Sequence, residues 1–186
     1  MLICSTTTES GTDNLHPLTE AMRTDSGWSV SGTKYFVTMS PIATHVGLNV
    51  RTRDGNGDYI ANVFTRMDAP GIVPGNNWDA LGMRASGSQS VTFENCEVPK
   101  DALRIIGPWG QWSIPVLLHR TLANVPLVAA FLGIAESAYD LAVEKLKGSD
   151  RALSSGVQHA VAEMEIALAT SQTMMTQMGL RLDAIM

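Results

Sequence analysis

Cysteine is scarce in this 186-residue chain, which has only Cys4 and Cys96. Two such residues, far apart and with no Cys or His at metal-ligand spacing, make neither a disulfide framework nor a zinc site. A reducing, cytoplasmic setting is expected. His16, His45, His119 and His159 stand alone, so no metal is expected. Basic tracts are missing too: 13 Lys and Arg face 18 Asp and Glu, a net charge of −5. That balance argues against a nucleic-acid partner, whose phosphates need clustered cations. No unbroken apolar run reaches the roughly 18 residues of a membrane span. No basic segment followed by an apolar one opens the chain, so no signal peptide is expected. Charge itself is sparse, at 17% of residues against a usual ~25%. Part of the surface is therefore expected to be covered by other protein, in a homo-oligomer (dimer or tetramer) or a longer chain.

What the chain does have is enough apolar material for a core: 45% hydrophobic residues and a mean hydropathy of +0.06. The first half reads as short strands separated by turns. Met1–Cys4 is strand-like and runs into a polar Ser/Thr loop, 5–13. In Gly27–Thr38, Trp28 and Val30 alternate with polar residues, Ser31-Gly32 reads as a turn, and Tyr35–Thr38 is aromatic and β-branched. That spacing predicts a hairpin. Residues 44–51, 59–64, 71–75 and 90–94 repeat the pattern, with Asp54-Gly-Asn-Gly57 as a strong turn. Strands with turns every ten or so residues predict an antiparallel β-sandwich or barrel-like domain over about 1–105.

From about residue 106 the period changes. Gly107–Trp112 is a loop with two tryptophans, and Ser113 can cap a helix whose first turn accepts Pro115. Val128, Phe131, Leu132, Ala135, Ala138, Tyr139 and Ala142 recur at helical steps, with a kink or a fresh start expected at Pro126. A second helix carries Val157, Val161, Met164, Leu168, Met175, Met178, Leu182 and Ile185 on one stripe. The fold class expected is α+β: the β domain, then two long helices of an incomplete bundle over 106–186.

Four motifs, in order, resemble the acyl-CoA dehydrogenase superfamily, its middle β domain and the first half of its C-terminal helical domain. They are Ile3-Cys-Ser-Thr-Thr-Thr-Glu-Ser-Gly-Thr-Asp13; Gly32-Thr-Lys-Tyr-Phe-Val-Thr38; Leu81-Gly-Met-Arg-Ala-Ser-Gly-Ser88 with Val91-x-Phe-x-Asn-x-x-Val-Pro99; and Leu132-Gly-Ile-Ala135. The resemblance implies FAD, with FMN as the alternative, held with its ring against the β domain. It assigns cofactor contacts to Ile3, Thr6, Gly11, Thr12, Phe36, Val37 and Thr38, and substrate contacts to Thr12 and Asn124. Thr6 and Thr38 fall near the flavin N5/O4 edge, where a donor stabilises charge arriving on the reduced ring. Arg84 and Ser86 are expected to fold the loop beneath the site.

The departures bear on function. Thr7-Thr8 replace a usual Glu-Pro, and no Arg-x-x-Phe-Gly segment is recognisable between Lys147 and Gln158. Asn124 stands where the family usually has a substrate-proximal Arg, and Ala123 where some members carry the catalytic Glu. No catalytic residue is therefore assigned. The first expectation is part of a flavoprotein that oxidises the CH–CH bond of an acyl-CoA thioester. One alternative is a flavin-dependent monooxygenase of the same superfamily, which needs no such Glu. Another is a non-catalytic truncated product that self-associates.

Overall fold

The computed structural model describes residues 1–184, without the side chains of His119, Leu122 and Ala123. Ile185, expected on the apolar stripe, lies outside the described residues. The chain is α+β, and it forms two compact units, Met1–Leu117 and one that begins at Leu118.

The first unit carries eight strands: β1 (Ile3–Thr6), β2 (Glu20–Arg23), β3 (Gly27–Val37), β4 (His45–Asp54), β5 (Gly57–Arg66), β6 (Ile72–Pro74), β7 (Gln89–Pro99) and β8 (Leu103–Pro108). Their order is β6-β7-β3-β2-β4-β5-β8, with β1 also on β4. The sheet is mixed where an antiparallel one was expected, because β1 and β2 both pair in parallel with β4. Val30, Val37, Val46, Leu48, Val50, Val63, Val91 and Phe93 form its buried core. Each such side chain contributes on the order of 1.5–3 kcal/mol by leaving water.

Gly27–Thr38 is not a hairpin. β3 is one strand of 11 residues, and Ser31-Gly32 marks a β-bulge. Val30 pairs with Cys96 and Gly32 with Phe93, so two residues of β7, Glu94 and Asn95, oppose Ser31 alone. Asn95 takes φ 50°, a left-handed conformation asparagine tolerates, and its N–H donates to Ser31 Oγ at 3.1 Å. Gly32 is needed for a different reason: at φ +146°, a Cβ there would lie 2.6 Å from Thr19 Oγ1. The true turn precedes β3, where Thr24 N–H donates to Gly27 O at 3.0 Å.

The second unit contains most of α1 (Ile114–Leu146) and all of α2 (Ser155–Asp183). α1 does not start afresh at Pro126; one missing N–H leaves the other turns of a 33-residue helix bonded. Ser113 caps it as expected, its Oγ accepting from Val116 N–H at 3.4 Å. On α2 the half-buried positions include Val157, Val161, Leu168, Met175, Met178 and Leu182 of the expected stripe. A groove of about 550 Å³ separates it from α1, between Phe131, Leu132 and Ala135 on one side and Met164, Leu168 and Met175 on the other. Gln172 Nε2 donates to Glu136 Oε1 across it. By length and mean hydropathy (1.4), Asn124–Leu146 meets the composition of a membrane-crossing helix, although Glu136 and Asp140 break its apolar run.

Candidate functional site

β1 and β2 lie end to end along the same edge of β4. Ile3–Thr6 pair with His45–Leu48, and Glu20 and Ala21 with Arg51 and Thr52. The chain leaves the sheet after Thr6 and rejoins it at Glu20, so residues 7–19 form a loop over the break. Its start is tied to β3: Thr6 Oγ1 donates to Tyr35 O at 3.2 Å, and Tyr35 N–H donates to Thr8 O at 2.9 Å. Its end is tied to β4, where Arg51 N–H donates to Thr19 O at 2.7 Å. Between them, Gly11 supplies the left-handed φ of 76°. Thr12 Oγ1 donates to His16 O at 2.6 Å, and Asp13 Oδ1 accepts from Leu15 N–H at 2.8 Å.

Inside the loop sits a charge pair that the sequence reading did not single out. Lys34 Nζ donates to Glu9 Oε1, with side-chain exposures of 0% and 3%. The same carboxylate accepts from Leu18 N–H and from Thr19 N–H at 3.0 Å. Burial pushes the Glu9 carboxyl up, but Lys34 and the hydrogen bonding from Thr19 outweigh it and leave it below the usual range. Burial draws the Lys34 ammonium down, and Glu9 offsets this only in part. The signal in the sequence was a lysine amid the inward-facing valines of β3.

At the far end of β3 the chain turns sharply. Phe36 adopts φ 55° and Met39 φ 67°. The Phe36 side chain is 61% exposed, steadied edge-on by Trp78 at a centroid distance of 6.1 Å. Val37 is fully buried, so its side chain serves the core and only its backbone borders the outer surface. Thr38 is exposed and its Oγ1 lies 2.9 Å from Ser88 Oγ, which lies 2.7 Å from Ser86 Oγ. If Ser86 donates to Ser88 and Ser88 to Thr38, the Thr38 proton is left to donate outward. Met39 N–H donates to Ser86 O at 2.9 Å, so the Arg84–Ser86 turn holds this edge from behind. Arg84 itself faces Asp79 at 2.9 Å.

Thr6 and the Phe36–Thr38 edge therefore adjoin, but Thr6 is buried and its hydroxyl proton goes to the Tyr35 carbonyl, so it braces that edge instead of offering the outward donor expected of it. Gly11 and Thr12 lie on the loop that starts there. Ile3 lies at the opposite end of β1, paired with His45 and 47% exposed. Asn124 belongs to the second unit, exposed on α1, with its Nδ2 donating to Arg120 O at 2.9 Å. An exposed aromatic ring and an exposed hydroxyl, where β3 ends and its turn begins, fit a flat heteroaromatic ring with polar rim atoms. Among the described residues no cluster of three His, Cys, Asp or Glu is placed to hold a metal.

Residues 3–96 match the model of the acyl-CoA dehydrogenase middle domain. The chain belongs to the acyl-CoA dehydrogenase family. It is 37% identical over 148 residues to L-evernosamine nitrososynthase of a Micromonospora species, covering 79% of this chain and 35% of that one. It is 30% identical over 176 residues to cyclohex-1-ene-1-carbonyl-CoA dehydrogenase of Geobacter metallireducens, covering 91% of this chain and 46% of the relative. In structure it resembles KijD3 in complex with FMN and a dTDP-linked amino sugar, with a TM-score of 0.79, 31% identity, and coverage of 94% of this chain and 44% of that chain. The chain thus spans about a third to half the length of these relatives.

Proposed function

We propose that this chain is the flavin-holding part of a flavin-dependent monooxygenase that oxidises the amino group of a nucleotide-linked amino sugar. The observation that carries this is the 37% identity to a nitrososynthase over 148 residues, supported by the likeness to KijD3, whose structure holds FMN and a dTDP-linked amino sugar. Asn124, in place of the family's usual Arg, agrees with a substrate other than a standard acyl-CoA.

Bound reduced flavin would supply the electron pair that, with dioxygen, puts an oxygen atom on the amine nitrogen. This chain's residues do the holding. Phe36 offers an apolar face to the ring, and Thr38 points a proton, backed by Ser88 and Ser86, at its polar rim. Gly11 and Thr12 border the ring from the loop, where the Thr12 oxygen keeps lone pairs for a donor. Burial of such a rim between donors fixed by folding strengthens them and spares reorganisation. FMN is the flavin favoured, with FAD the alternative.

A second reading, oxidation of an acyl-CoA thioester, draws on the 30% identity to a cyclohexene-carbonyl-CoA dehydrogenase over 91% of this chain. One experiment separates the two. Full-length protein is given FMN or FAD, a flavin reductant, oxygen and a dTDP-linked amino sugar, or separately an acyl-CoA without oxygen. Amine-dependent oxygen uptake with a hydroxylamine or nitroso product supports the monooxygenase. Flavin bleaching by acyl-CoA, with no amine oxidation, overturns it. We also propose a homo-oligomer, consistent with the apolar positions left exposed on α1.

A further inference from the structure

We infer that the buried Glu9–Lys34 pair is a positioning device for the flavin, fixing where loop 7–19 stands relative to the Phe36–Thr38 edge; the inference rests on the flavin reading above. Three donors from different places meet on one carboxylate: Lys34 Nζ of β3, Leu18 N–H and Thr19 N–H. Glu9 is thereby the hub that closes the loop on itself and on the strand at once. Thr8, one residue before it, accepts from Tyr35, one residue after Lys34. Gly11 and Thr12 follow it by two and three residues, while Phe36 and Thr38 follow Lys34 by two and four. The end of the same loop is wedged on the β3 bulge, since Thr19 fills the space a side chain at Gly32 would need.

An apolar pair of similar volume would pack this site as well or better, because two charges lose their hydration on burial. It would not collect two backbone N–H groups, nor would it prescribe a direction for the loop. Retaining the ions is explained by specification of one loop geometry, a role charged groups can fill at a cost in stability. A flat ligand touched from both loop and strand reads the distance between them. A loop free to shift by about 1 Å loses donors that a rigid one keeps.

The test uses the full-length protein with FMN. Glu9→Gln/Lys34→Met removes both charges together, leaves no buried ion, and keeps one acceptor oxygen where the carboxylate had two, Oε2 for Leu18 N–H and Oε1 for Thr19 N–H. The expected result is a folded protein whose FMN dissociation constant rises about tenfold, an effect the size of one or two lost hydrogen bonds. The fine structure of the bound flavin's visible absorption should be lost with it. A folded double variant with the parent's dissociation constant and spectrum overturns the inference. Should that variant not fold, the parent decides by amide exchange. Saturation with FMN should slow exchange at Leu18, Thr19 and Tyr35, and unchanged rates at all three overturn the inference. A parent protein that binds neither FMN nor FAD removes the flavin reading itself, and this inference with it.

Discussion

Lys34, with no exposed side-chain surface, is hydrogen-bonded through Nζ to Glu9, 25 residues earlier in the chain. Both ends of the contact are inside the β unit, and neither has water to fall back on. Lys34→Ala leaves the Glu9 carboxylate buried without its cation. Removing one partner of such a pair costs roughly 3–5 kcal/mol. Urea unfolding should show a free-energy loss of that size; a loss under about 1 kcal/mol would mean that solvent reaches the pair.

Acid should weaken the fold in a defined window. Arg53 and Arg51 hold the Asp58 carboxyl down at about 2, from an ordinary 3.8, and Glu9 is also held below its ordinary 4.5. A carboxyl whose folded value is depressed stabilises fully above its unfolded value and loses that contribution as pH falls through the folded one. Unfolding free energy should therefore fall from about pH 4.5 down towards pH 2, and Asp58→Asn should make that slope shallower. An identical slope in the variant would show that the two arginines do not hold Asp58 in solution. Lys34, lowered from 10.5, acts at the other end: there the unfolded chain binds more protons, so its contribution rises as pH climbs toward 10.5.

Thr38→Ala removes the hydroxyl at the end of the Ser86–Ser88–Thr38 chain. One net hydrogen bond is about 1 kcal/mol, so FMN affinity in the full-length protein should drop about fivefold. Fluorescence titration measures it. Equal affinities would make Thr38 a strand-end residue and no more.

Much of this was legible in the sequence, and the failures have physical causes. Alternation exposed β3, β4, β5 and β7 because each has one face in the core. β2 is only four residues, Glu-Ala-Met-Arg, too short for a period to emerge. β8 ends in Gly107-Pro108, which reads as a loop until pairing with β5 is known. Ser31-Gly32 has the composition of a turn, and only the opposing Asn95 reveals a bulge. That an aromatic ring and a hydroxyl, Phe36 and Thr38, close one strand was readable from local composition. The Glu9–Lys34 contact was not, because a glutamate in a Ser/Thr-rich loop looks solvated and its partner is set by how the loop folds back.

Gly32→Ala places a methyl 2.6 Å from Thr19 Oγ1 at a φ of +146°. Overpacking of this kind costs about 1–3 kcal/mol, and here it pushes on the loop's anchor. Thermal denaturation should record the loss. A variant as stable as its parent would show that Thr19 yields freely.

Leu127, Val128, Phe131, Ile134 and Leu141 remain exposed along α1. The isolated 186-residue chain is expected to self-associate through such positions. Sedimentation should show a species larger than a monomer, and Phe131→Glu should reduce it. A parent chain that sediments as a monomer at high concentration rules this out.

The collinear placement of β1 and β2 on β4 has an evolutionary corollary. A segment inserted between two strands that already share a neighbour can lengthen or change composition without moving any rung of the ladder. Doubling such a segment costs only about 0.6 kcal/mol in closure entropy. Exchange is thus confined to the loop's outermost residues, 10–14, because Leu15 and Pro17 are held by Gly110 and Trp109 and belong to the clasp a designer must leave alone.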